Sequence, residues 1–135
     1  MSMDGKRDLS AGEALIMKAI WDDGKTREKG VDISLPELMD IMREEYGKDY
    51  ARTTVATFLL RLSDKGYIHN YRKGKFSYSK ILKSEDEYRK ELAKETNNFW
   101  FRGDTSSFLA ALHDAGSLTG ENLKKAREYL ERLDH

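Results

Sequence analysis

The 135 residues carry 24 basic and 24 acidic side chains, so a formal net charge of zero gives the whole chain no general attraction to nucleic acid. Apolar residues make up only 39% and charged residues 36%, which points to a small core under a large polar surface, in one ordinary domain or two small ones. With no cysteine, disulfides and thiolate metal sites are excluded. There is no apolar run of about 18 residues, and Met1 to Asp8 lack an apolar signal core, so a soluble cytoplasmic protein without membrane insertion is expected.

The first organised segment begins at Leu9. Ser10 and Glu13 have the spacing of a capping box, which predicts a helix from Ala11 with Leu15, Ile16, Ala19 and Ile20 as its apolar stripe and Trp21 closing one end of the core. The polar run Asp22 to Gly30 reads as a loop with solvated charges. Val31-Asp32-Ile33 alternates as a short strand would. Ser34 and Glu37 form a second capping box, with Pro36 in the first turn and Ile33 placed to staple Leu38. Leu38, Ile41, Met42 and Tyr46 continue that helix's buried face, and Gly47 ends it.

After the link Lys48 to Arg52, Val55, Phe58, Leu59 and Leu62 recur at i, i+3, i+4 and i+7, the stripe of a third helix that stops at Gly66. At about 100° per residue, Thr53, Thr57, Arg61 and Asp64 fall opposite this stripe, with Thr54 nearby. Threonine hydroxyls and methyls can meet base edges, and an arginine can hold a phosphate or a guanine, which suits a helix lying in a DNA major groove. A polar solvated face would look the same on this helix alone. The flanking charge decides for DNA: residues 51–82 hold seven basic side chains against Asp64 alone, net +6, whereas residues 9–50 are net −4 and residues 83–135 net −2. Two predicted strands, 67–72 and 75–80, make a hairpin with a basic turn at Lys73-Gly74. Helix, strand, helix, helix and hairpin in that order give a mainly α chain with a small β hairpin, a winged helix-turn-helix over residues 9–82.

Residues 83–135 follow as helices. Ser84 and Glu87 cap one from Glu85 to about Phe101, Asp104 caps one from Thr105 to His113, and Thr119 caps the last, with Leu118 and Leu123 as staple. Leu92, Phe99, Trp100, Phe108, Leu112, Leu123 and Leu130 are the apolar side chains of this region expected at a dimer interface. It holds too little apolar material to be stable alone, so it is expected to bury these stripes in a second copy. Phe99-Trp100-Phe101 fits a packed interface better than a membrane contact, because no basic amphipathic face accompanies it. Three scattered histidines, His69, His113 and His135, make no metal set, and no nucleophile-base pair or phosphate loop is visible, so neither an enzyme nor a cofactor is expected.

Taken together, these motifs are similar to the penicillinase-repressor family of bacterial regulators, from Leu9 onward. Leu9-Ser10-x-x-Glu13-x-x-Ile16-Met17-x-x-Ile20-Trp21 resembles the family's first helix. Thr53-Thr54-Val55-x-Thr57-x-Leu59-x-Arg61-Leu62-x-x-Lys65-Gly66 resembles its recognition helix, and Gly74-Lys75-x-x-x-Tyr78 its wing. The resemblance implies a homodimeric repressor of dyad-symmetric operator DNA, with residues 83–135 as its dimerisation region. By position, Thr53, Thr54 and Thr57 become candidates for base contacts, and Arg52, Arg61, Arg72, Lys73 and Lys75 for phosphates. A membrane sensor-protease is implied as a partner for β-lactam-responsive members, which are cut at an Asn-Phe bond; Ala111-Leu112 stands there in this chain. The clustered C-terminal cysteines of copper-responsive members are missing, and the loop Asp22 to Gly30 is longer than is usual in the family. The competing expectation is a winged helix that docks protein, although such a surface is more often depleted of charge at its centre.

Overall fold

Side-chain caps set the start of most helices in the computed structural model, which describes residues 9–134. The segment 1–8, read above for a signal core, and His135 lie outside the described residues. The chain divides into two compact units, the first running to Glu91 and the second from Leu92 onward.

In the first unit, helix α1 spans Ala11–Gly24 and opens on the expected capping box. The Ser10 hydroxyl accepts from the Glu13 N–H at 3.2 Å, and the Glu13 carboxylate accepts from the Ser10 N–H at 3.2 Å. Ser34 and Glu37 do the same before α2, Leu35–Tyr46, at 3.3 and 3.0 Å. Gly47 ends α2 in the left-handed region at φ +65°, and the Lys48 N–H turns back to the Met42 carbonyl. Helix α3 spans Arg52–Asp64.

Three strands form one antiparallel sheet in the order β1-β3-β2: β1 is Ile33–Ser34, β2 Ile68–Lys73 and β3 Phe76–Ile81. Ile33 pairs with Ser79, so the short segment before α2 becomes the third strand rather than standing alone. The hairpin sits one residue later than the alternation predicted. Lys73 pairs with Phe76, leaving Gly74-Lys75 as the two-residue turn. The reason is conformational: the first turn position has φ +65°, which glycine adopts without the Cβ clash that lysine would meet.

Two further corrections concern the polar run from Asp22. Helix α1 continues three residues into it, to Gly24. Its charges are also less solvated than expected, because Arg27 lies largely buried between Asp23, 2.7 Å away, and Glu37 of α2, 2.9 Å away. These carboxylates hold its guanidinium proton still more tightly than usual, first through Asp23. The long loop is thereby tied to the winged helix at its midpoint.

The core is drawn from every element of the first unit. Ile16, Met17 and Ile20 of α1 meet Leu38 and Met42 of α2, Val55, Leu59 and Leu62 of α3, and Ile68 of β2. Trp21 is buried at one end, as its position predicted. Its indole N–H donates to the Lys83 carbonyl at 2.8 Å, and its ring lies 5.4 Å from that of Tyr88 in the first turns of α4, Glu85–Phe99. This is a winged helix. Leu15, Ile41, Tyr46 and Phe58, predicted for the core, are only partly buried at its edge; the Phe58 ring covers Gly12 and meets Tyr50 edge-on at 5.7 Å.

In the second unit, the remainder of α4 is followed by α5, Thr105–Asp114, and α6, Gly120–Leu133. Asp104 caps α5 through Ser107, as expected. Thr119 occupies the cap position of α6, but its side chain makes no capping bond, contrary to expectation; the Thr119 carbonyl instead accepts from the Asn122 and Leu123 N–H groups. Phe101 stacks on Phe108 at 4.7 Å. Among the described residues of this unit only Glu95 is buried; every apolar side chain keeps some exposure. No helix of the described residues is long and apolar enough to cross a membrane.

Candidate nucleic-acid interface

Burying Val55, Leu59 and Leu62 turns the opposite face of α3 to solvent. Thr53, Thr57, Arg61 and Asp64 are all exposed there, Arg52 is exposed at the first turn, and Thr54 is half-buried. The helix wheel therefore places these side chains as predicted. Helices α1, α2, α4 and α5 each start under a Ser or Asp side-chain cap, whereas α3 starts at Ala51 with no side-chain acceptor and no acid in its first turn. Its leading N–H groups and positive dipole end are left open toward an incoming anion such as a phosphate.

The hydroxyl of Thr57 donates to the Thr53 carbonyl one turn back, at 2.9 Å. Its proton is thus committed inside the helix, and what Thr57 offers outward is a methyl group and oxygen lone pairs.

At the hairpin tip Arg72, Lys73 and Lys75 are exposed. Arg72 reaches across the turn to donate to the Lys75 carbonyl at 2.9 Å, which stiffens the tip and leaves its charge at the surface. What joins this wing to α3 is Asn70, a residue the sequence reading passed over. Its amide donates to the Leu59 carbonyl of α3 at 3.0 Å, and its oxygen accepts from the Ser79 hydroxyl at 2.8 Å. The signal was present: strand alternation from buried Ile68 puts Asn70 on the inward face, where an amide needs partners. On the other face Tyr71 stacks against Tyr78 and donates to Asp32 at 2.5 Å, which raises the Tyr71 hydroxyl above its usual range.

One cation of the basic block is turned inward. Lys65 lies 2.5 Å from the Glu13 carboxylate, with only a fifth of its side chain exposed. Burial would raise the Glu13 carboxyl, but Lys65 and the Ser10 N–H and hydroxyl outweigh it and hold the group below its ordinary value. The block's outward charge therefore lies on Arg52, Arg61 and the wing. Among the described residues no group of three His, Cys, Asp or Glu side chains is placed to hold a metal ion.

The remaining predicted site residues lie in the second unit. Leu92, Phe99, Trp100, Leu112 and Leu130 are exposed, Trp100 to 67%, and Phe108 and Leu123 are half-buried. Ala111 and Leu112 sit inside α5 with their carbonyls bonded to the Ala115 and Ser117 N–H groups.

Among known families, the one described as penicillinase repressor matches residues 9–132 of the chain. No significant match is found among curated proteins.

Proposed function

Because the chain belongs to the penicillinase repressor family, we propose that it represses transcription by binding dyad-symmetric operator DNA as a homodimer. The observation that carries this reading is the hydrogen bond from Asn70 to the Leu59 carbonyl, which ties β2, the strand leading into the basic hairpin tip, to the helix whose opposite face is polar and exposed. In this reading residues 9–82 form the DNA-binding domain. Thr53, Thr54 and Thr57 face base edges in the major groove, while Arg52, Arg61, Arg72, Lys73 and Lys75 meet phosphates. Two copies of α3 about one DNA turn apart, roughly 34 Å, then occlude polymerase by occupancy.

Residues 83–135 supply the dimer. Their exposed apolar side chains, Leu92, Phe99, Trp100, Leu112 and Leu130, are more than a 44-residue unit without a buried apolar core would leave to water. A second copy covers them in our reading. The chemistry is that of a cytoplasmic regulator rather than an enzyme. A sensor-protease partner that cuts at Ala111-Leu112 would have to unwind α5 first, since both residues are within the helix.

Selection from random-sequence DNA with the full chain tests the proposal. It should enrich a dyad, and Thr57→Ala should change the preferred base at one position per half-site, by roughly 1–3 kcal/mol. Enrichment of no sequence would overturn the reading; an equal loss by Thr57→Ala on every sequence would remove Thr57 from base contact.

A further inference from the structure

Leu60 stands 61% exposed in the middle of α3, more than any other large apolar side chain described in the first unit. A single leucine in water is ordinary. Its neighbours make this one different. At about 100° per residue it lies roughly 20° around the helix from Thr53 and 60° from Thr57, on the face read above as the DNA-facing one. Ala56, one turn before it, is exposed as well. With the Thr57 hydroxyl proton committed to Thr53, this side of the face presents methyl groups, while Arg61 stands on the other side.

A strip of this kind has one matching feature in the major groove. Of the four unmodified bases only thymine shows a methyl there, whereas the others present polar edges that a leucine would strip of water without replacing a hydrogen bond. We propose that Leu60, flanked by Ala56, reads a thymine methyl by van der Waals contact and sets the base preference at one position in each half-site. The proposal rests on the DNA-binding reading above and adds to it a residue and a base that the threonines do not specify.

Deoxyuridine probes test it, because deoxyuridine keeps the thymine hydrogen-bonding edge and lacks only the methyl. In the duplex that selection yields, thymidines are replaced one at a time. One position per half-site should lower the affinity of the unaltered chain about fourfold, the worth of one buried methyl-sized group. Leu60→Ala should bind more weakly and no longer distinguish thymidine from deoxyuridine at that position, with an unchanged salt slope because no charge is altered. Its circular dichroism should match the unaltered chain, since the side chain supports no core. A duplex with 5-methylcytosine paired to guanine at the same position should bind the unaltered chain more tightly than one with cytosine. Indifference of the unaltered chain to every deoxyuridine, or an undiminished deoxyuridine penalty in Leu60→Ala, overturns the proposal and leaves the repressor reading standing. A preferred sequence unchanged by Leu60→Ala has the same effect and points to Leu60 as a protein contact. Enrichment of no sequence at all overturns both.

Discussion

Glu13 and Lys65, 52 residues apart, meet as a nearly buried ion pair that joins the first turn of α1 to the end of α3. Glu13 also completes the capping box with Ser10. One carboxylate thus caps the first helix and fixes the far end of the candidate recognition helix.

A pH dependence follows. The Glu13 carboxyl is held below its ordinary value of 4.5 in the folded chain, so its stabilisation is fully present above that value and is lost as pH falls through the lower folded one. Urea unfolding followed from pH 7 down to pH 3, values of roughly the range where carboxylates titrate, should show the unaltered chain losing stability below about pH 5. Glu13→Gln should be less stable at neutral pH and lose less on acidification. Lys65→Met, which leaves the carboxylate without its cation, should cost about 3 kcal/mol at neutral pH.

Gly12 is required for space rather than for backbone freedom. A Cβ built there would lie 2.4 Å from the Phe58 ring, which is itself braced by Tyr50. Gly12→Ala should therefore destabilise by about 1–3 kcal/mol despite alanine's higher helix propensity. Adding Phe58→Leu should recover part of the loss in a thermal melt; purely additive effects would show that the two residues do not compete for the same space.

Asn70→Ala should cost about 1–2 kcal/mol, because the Ser79 hydroxyl loses its acceptor in a buried setting. The wing would lose its tie to α3, so binding should weaken on every DNA sequence alike. A shift in the preferred base instead would place Asn70 in base readout.

Trp100 is the largest exposed aromatic of the second unit and meets Phe99 edge-on at 4.9 Å. Under the homodimer proposal Trp100→Ala should weaken self-association by at least about 2 kcal/mol, the scale of an interface hot spot, read by sedimentation equilibrium. An unchanged monomer-dimer equilibrium would move the interface away from this aromatic pair.

Local signals carried most of the fold. Ser10 with Glu13, Ser34 with Glu37 and Ser84 with Glu87 each define a helix start within four residues, so the boundaries could be read from the sequence. The outward face of α3 was equally legible, because burial of Val55, Leu59 and Leu62 dictates what lies opposite. Less legible were features set by distant partners. Lys65 looked like part of a basic surface because its acid is 52 positions away. Arg27 looked like a loop charge because Glu37 reaches it only once α2 has packed. The hairpin register slipped by one residue because the positive φ at Gly74, rather than the strand alternation, fixes the turn. The Thr57 hydroxyl was read as free to donate or accept at a base edge, but in a helix a threonine hydroxyl can bond to the carbonyl one turn back, and here its proton does.

The most direct test of DNA recognition by α3 and the wing is a salt titration of binding to the selected dyad, with scrambled duplex as competitor. The account predicts specific binding whose log affinity falls steeply with log salt, at about −0.9 per phosphate contacted, and a slope reduced by about one by Lys73→Ala or by Lys75→Ala in each half-site. Affinity equal for dyad and scrambled duplex, or a slope untouched by both lysine variants, would contradict it.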